Sequence, residues 1–201
     1  MKNKNIINRI AKDALLLSLL IVCAWFSIPF VSSPITLQVF GVILIILLAP
    51  GVDSILIILT YIIMGTCGLP VFNGGTSGFG SITYGFIVGF FVASIIIYLY
   101  VLIFERRVFK HSFSRKENII DVIIKCVIFE IIIYIFGLLW YTILSDKNTF
   151  FGWLVVFLPY LGIDAIKCTI AIIIYMRLKP ILEHQKILNS TNDEIHENSA
   201  K

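Results

Sequence analysis

An all-α integral membrane bundle of six transmembrane helices is the fold class this sequence predicts, and three observations predict it. Hydrophobic residues make up 59% of the 201 and charged residues only 14%, against about 25% charged in ordinary soluble domains. Mean hydropathy is +0.98. Six apolar runs fill most of the length, and a bilayer-crossing helix takes about 20 largely apolar residues, which leaves no room for a separate soluble domain. Lys and Arg, finally, concentrate in alternate connecting segments, the asymmetry that orients membrane helices.

The first span is expected over Asn8–Ile28, after the basic residues Lys2, Lys4, Arg9 and Lys12. It resembles a secretory signal in having basic residues ahead of an apolar run, but no small-residue cleavage site closes it and further spans follow. Pro29 and Pro34 punctuate the next break. The second span, Ile35–Ala49, is separated by a tight Ala49-Pro50-Gly51 turn from the third, Ser54–Cys67. Both are short for a bilayer of about 30 Å and need tilt, flanking turns or shelter from neighbours. A glycine-rich loop over Gly68–Gly80 then leads to a fourth span, Thr83–Phe104, followed by Asn118–Leu144 and Phe151–Met176. One transmembrane unit over 1–182 and a polar, frayed tail over 183–201 are the expected organisation.

Counting six spans puts the N-terminal basic residues, the Arg106, Arg107, Lys110, Arg115 and Lys116 segment, and Arg177, Lys179 and Lys186 on one side. The opposite loops, around Ser32, Gly74 and Asp146, carry a single basic residue, Lys147. The positive-inside rule therefore makes both termini cytoplasmic. The formal charge of +4 is accounted for by these topology signals and does not mark a nucleic-acid surface. Cys23, Cys67, Cys126 and Cys168 fall one per span with no metal-ligand spacing, and are expected as buried thiols. His184 and His196 belong to the solvated tail, and His111 to a basic loop.

Asp164 and Lys167 are the chemically informative residues. They stand three apart in an otherwise apolar run, where an ionisable group costs about 2.5–3.5 kcal/mol to insert and usually faces a protein interior or a cavity. At i and i+3 they share one helix face, in the outer half of the sixth span by the topology above. They grip a ligand jointly or, alternatively, form a salt bridge that ties helices together. The loop above carries five glycines between Gly68 and Gly80, permitting positive φ and close backbone approach; it is either a lid or a flexible connector. Thr36 and Gln38 bring polar groups into the outer end of the second span and need hydrogen-bond partners if buried. Lys125 is expected to snorkel. Glu130, deeper, is expected to make a helix-to-helix hydrogen bond or to pair with Lys125. Trp25, Trp140 and Trp153 lie near span ends, as in an interfacial aromatic belt.

No nucleophile with a paired base, no HExxH and no clustered carboxylates are present, which disfavours an enzyme; nor is there a nucleotide-binding motif, so any ATP-driven work belongs to another chain.

Several motifs occur in a familiar order: Ser27-Ile28-Pro29, then Ser33-Pro34-Ile35-Thr36-Leu37-Gln38, then Gly65-x-x-Gly68-Leu69-Pro70-Val71-Phe72 with Gly74-Gly75, then Leu158-Pro159 leading to Asp164-x-x-Lys167. In these the sequence resembles the BioY family, the biotin-specific substrate-binding (S) components of energy-coupling factor (ECF) transporters. The resemblance implies a prokaryotic plasma-membrane protein that holds biotin beneath the loop after the third helix. It also implies assembly with a transmembrane coupling subunit and a pair of cytoplasmic ATPases. Ala14 and Ser18 resemble the small-xxx-small patch through which S components dock the coupling subunit, small residues four apart allowing close helix approach.

On this resemblance Asp164 accepts a ureido N–H of biotin, and Lys167 balances its charge and donates to a ligand oxygen. Thr36, Gln38, Asn73, Gly74, Gly75 and Thr76 complete the contacts, with Tyr84 covering the apolar part. No cofactor is implied. The chain departs from the family in one element: a Gly-Pro-x-Gly-Gly-Tyr run is replaced by Gly80-Ser81-Ile82-Thr83-Tyr84-Gly85, and Thr76 and Gly85 stand nearest to positions where some members carry Asn and Arg. An S component for another small vitamin, a solitary transporter and a membrane-embedded enzyme remain as alternatives.

Overall fold

The computed structural model describes residues 2–29, 34–81, 83–105, 119–144 and 160–181. Six helices run through them. Helix α1 is Lys2–Trp25; a two-residue hairpin follows, β1 (Ser27–Ile28) against β2 (Ile35–Thr36). Then come α2 (Gln38–Leu48), α3 (Val52–Thr66), a 3-10 turn (Asn73–Gly75), α4 (Tyr84–Tyr100) with a π turn over Val101–Glu105, and α5 (Ile119–Leu144). The last, α6, occupies 160–181 and so runs five residues past the expected end at Met176. Tyr84–Ile103 and Ile119–Ile143 are each long and apolar enough to cross a membrane. The expected loop basic residues Arg106 to Lys116, Trp153, and the tail over 183–201 lie outside the described residues.

The second span departs from its expected boundaries. Ile35 and Thr36 pair antiparallel with Ile28 and Ser27, so α2 begins only at Gln38 and is 11 residues long. Pro29 and Pro34, which cannot donate to a ladder, lie just beyond the paired residues. The short helix is sheltered instead of tilted into lipid: Gln38, Val39 and Gly41 through Leu47 are all buried. At its other end Lys12 Nζ reaches the Leu48 carbonyl at 3.5 Å, and Arg9 donates to Asp53 in the first turn of α3. Ammonium at a helix C-terminus and carboxylate at an N-terminus each complement the helix dipole.

Helices α4 and α5 form the closest pair, and glycine makes it possible. A Cβ on Gly85 would stand 2.2 Å from Trp140 Cβ, one on Gly89 3.0 Å from Ile133 Cα, and one on Gly137 2.4 Å from Phe86 Cζ. Without side chains at these points the backbones approach, as small residues allow in membrane helices. Phe90 and Phe129 stack across the same seam with centroids 5.9 Å apart. The outward faces remain apolar: on α5, Ile120, Ile123, Val127, Ile131, Ile135, Leu139 and Ile143 are exposed. So large an uncovered apolar surface belongs in lipid.

Lys125 is buried and pairs with Asp121 at 2.7 Å, which also accepts from Tyr100 at 3.2 Å. Its head group thus reaches back towards the N-terminal end of α5, where Asp121 lies in the first turn. Glu130 accepts from Cys168 Sγ at 2.9 Å, the helix-to-helix alternative, across α5 and α6. Cys23, Cys126 and Cys168 are buried as expected, but Cys67 is exposed, because the helix ends at Thr66 and releases it into the loop.

Candidate functional site

One face of α6 presents Tyr160, Asp164 and Lys167 at i, i+4 and i+7, the spacing of a single helix stripe. They meet Phe86 and Phe90 of α4, Tyr134 of α5, Gln38 and Val39 of α2, Pro34, Ile35 and Thr36 of the hairpin, Thr83, and Asn73 of the 3-10 turn. Together these walls line a partly open pocket that combines polar and apolar groups.

Asp164 and Lys167 are only 7% and 8% exposed. Lys167 Nζ donates to Asp164 Oδ1 at 2.7 Å, and the Tyr134 hydroxyl donates to Asp164 Oδ2 at 2.8 Å. The charged pair lies within one helix and cannot itself tie two together. The cross-helix link is the one to Tyr134, a residue the sequence reading did not single out.

Asn73 is buried, and its Oδ1 has no hydrogen-bond partner among the described residues. A buried acceptor left unmade costs about 1–3 kcal/mol, so an N–H donor entering the cavity has an unmet partner here. The local chain explains how Asn73 is held. Gly74 (φ 63°) and Gly75 (φ 81°) take left-handed conformations that close the turn. Thr76 Oγ1 donates to the Asn73 carbonyl at 2.9 Å, and Phe72 N–H donates to the Thr76 carbonyl at 2.9 Å.

Gln38 Nε2 donates to the Tyr61 hydroxyl at 2.8 Å, and Tyr61 donates to the Val71 carbonyl at 2.9 Å. This relay joins α2, α3 and the glycine-rich loop. Thr36 Oγ1 accepts the Gln38 N–H at 3.4 Å.

Of the residues singled out as ligand contacts, Asp164, Lys167, Thr36, Gln38 and Asn73 share the cavity wall; Gly74, Gly75, Thr76 and Tyr84 are not among its lining. The first three of these shape the turn beneath Asn73. Tyr84 lies in an aromatic cluster with Phe72, Phe79 and Trp140, at centroid distances of 6.2, 5.1 and 5.3 Å. The loop above is pinned along its length: Trp25 Nε1 donates to the Pro70 carbonyl at 2.8 Å, Trp140 Nε1 to the Ser81 carbonyl at 3.1 Å, and Gly78 N–H to Gly65 at 2.9 Å. Phe72, only 1% exposed, fills the space that Gly65 leaves. The two indoles thus serve as loop anchors.

The sequence profile of the BioY family matches residues 1–184. The chain belongs to the BioY family. It is 30% identical over 176 residues to the biotin transporter BioY of Thermotoga maritima, covering 86% of this chain and 96% of that one. It is 26% identical over 161 residues to the biotin transporter BioY2 of Lactococcus lactis subsp. cremoris, covering 79% and 82%. The fold matches the crystal structure of an S-component for biotin from an ECF-type ABC transporter with a TM-score of 0.75 at 19% identity, over 90% of this chain and 95% of that one. Membership makes the chain a membrane transport component, in keeping with its lipid-ready surface, and not an enzyme.

Proposed function

We propose that this chain is the biotin-binding S component of an ECF-type uptake transporter, energised by a separate coupling subunit and two ATPases. The observation that carries the reading is the match between cavity chemistry and a cyclic urea. Biotin offers two N–H donors, one carbonyl acceptor, an apolar thiophane ring and a carboxylate on an alkyl chain. Asp164 and the unmet Asn73 Oδ1 are acceptors for the two N–H groups. Lys167 has three N–H donors, one of them engaged by Asp164, and supplies one to the carbonyl. Phe86, Phe90 and Val39 line the apolar remainder. Names borne by the relatives agree with this ligand.

The six helices are proposed as six spans with both termini cytoplasmic, in line with the basic segments. Mass spectrometry of the small molecule eluted from protein purified out of a biotin-containing medium tests the reading. Unmodified biotin is expected; a different vitamin or a converted product would overturn it.

Docking is proposed through α1. Ala14 and Ser18 are exposed there, and the Ser18 hydroxyl folds back onto the Ala14 carbonyl at 2.8 Å, leaving a shallow surface. Ala14→Trp is expected to reduce co-purification with the coupling subunit and ATPases at least several-fold while biotin affinity holds. Unaltered recovery of the complex would exclude this face.

A further inference from the structure

We propose that Tyr134 is a positioning residue that acts through Asp164 to make the site select a neutral cyclic urea over its protonated guanidine analogue. The proposal rests on the biotin reading above. Its carrying observation is the hydrogen bond from Tyr134 on α5 to Asp164 Oδ2 on α6, 2.8 Å long, opposite the 2.7 Å bond from Lys167 to Oδ1.

Each carboxylate oxygen has two acceptor positions. With one on each oxygen occupied, Asp164 offers a ligand one position per oxygen, in a direction fixed from both sides. The phenol is itself held, its ring edge-on to Phe86 with centroids 5.9 Å apart and planes at 84°. Tyr134 therefore turns a swivelling carboxylate into an oriented acceptor.

The same two donors set how strongly Asp164 itself attracts a positively charged ligand. Asp164 and Lys167 are the charged residues among those lining the cavity, and they are bonded to each other. The phenol donates a second hydrogen bond into the carboxylate and further lowers its attraction for a cation. A cationic ligand head then gains little from Asp164, while Lys167 opposes it at close range in a poorly solvated wall. A neutral urea meets no such opposition and can accept from Lys167 through its carbonyl oxygen. Without the Tyr134 hydroxyl, Asp164 loses orientation and regains attraction for positive charge. Affinity for the urea falls, and the bias against the cation relaxes.

The test compares biotin with 2-iminobiotin, whose ring guanidine is protonated at neutral pH, on the purified full-length chain. The wild-type protein is expected to prefer biotin strongly. Tyr134→Phe, which keeps the ring, is expected to weaken biotin about 10-fold or more, because Asp164 no longer presents an acceptor fixed from both sides. 2-Iminobiotin is expected to lose much less, so that the ratio of the two dissociation constants contracts by about 5-fold or more. A purely structural tyrosine would weaken both ligands alike and leave the ratio in place.

Incorporating 3-fluorotyrosine at position 134 keeps the hydroxyl and strengthens it as a donor, so the ratio is expected to widen. That arm decides the matter if Tyr134→Phe does not fold. An unchanged ratio in a folded Tyr134→Phe protein, or in the fluorotyrosine protein, overturns the proposal while leaving the biotin reading intact. A wild-type protein that binds neither ligand overturns both.

Discussion

Asp164→Asn is expected to abolish tight biotin binding while the protein remains folded. The substitution preserves shape but replaces a charged acceptor by an amide, and it leaves the Lys167 ammonium, 8% exposed, without its counter-charge. Breaking one side of a buried pair costs about 3–5 kcal/mol of stability, and losing the charged acceptor for the ligand is expected to weaken binding on the order of 10²-fold. The ligand N–H would also face an amide that presents N–H groups of its own. Titration with biotin in detergent, alongside a melting curve, checks this, and unchanged affinity would remove Asp164 from the site.

The double variant Asp164→Asn with Lys167→Met separates recognition from stability. A neutral pair has no buried charge to strand, so the cost of the lone ammonium is removed. Melting temperature is expected to recover relative to the single variant, with binding still lost. Recovery of binding as well would mean that the pair only holds the helix stripe in place.

Gly85→Ala is expected to be among the most damaging single-methyl changes in the bundle. Its Cβ would lie 2.2 Å from Trp140 Cβ and 2.6 Å from the Phe136 carbonyl oxygen, where ordinary contact is about 3.5–4.0 Å. A carbonyl in the middle of α5 cannot rotate away, so α4 and α5 must separate. Overpacking of this kind costs about 1–3 kcal/mol, or roughly a 2–12 °C fall in melting temperature for a chain of this size.

Ligand affinity should fall with it, since Thr83 and Phe86 flank Gly85 and line the cavity, and Trp140 anchors Ser81. Gly89→Ala, with its nearest atom at 3.0 Å, is the graded control and should cost less. Equal melting temperatures for the two variants would show that the α4–α5 seam has slack.

Much of the site was legible before folding because membrane energetics make some residues conspicuous. Asp164 and Lys167 stand out because ionisable groups in an apolar run require a partner or a cavity. Thr36 and Gln38 were legible as polar groups at the end of an apolar span, Asn73 followed from the family resemblance, and all three share the cavity wall. Tyr134 was not legible, since a tyrosine in an apolar helix carries no comparable penalty; its importance comes from an atom 30 residues away in sequence. Tyr84 was ambiguous for the converse reason. Its aromatic ring suits a ligand as well as it suits Phe72, Phe79 and Trp140, and only packing decides between them.

By itself the sequence determined the class of this protein, because hydropathy is a local property and each apolar run needs lipid or protein around it whatever its neighbours are. It likewise determined the pair at Asp164 and Lys167, three residues apart on one helix, where 3.6-residue periodicity fixes the shared face. Tertiary structure alone decided which loop residues reach the cavity, that α2 is a short buried helix entered from a hairpin, and that Tyr134 completes the shell of Asp164. Those outcomes depend on contacts between residues far apart in sequence, such as the close α4–α5 approach that Gly85, Gly89 and Gly137 permit, and such contacts exist only once the helices are in place.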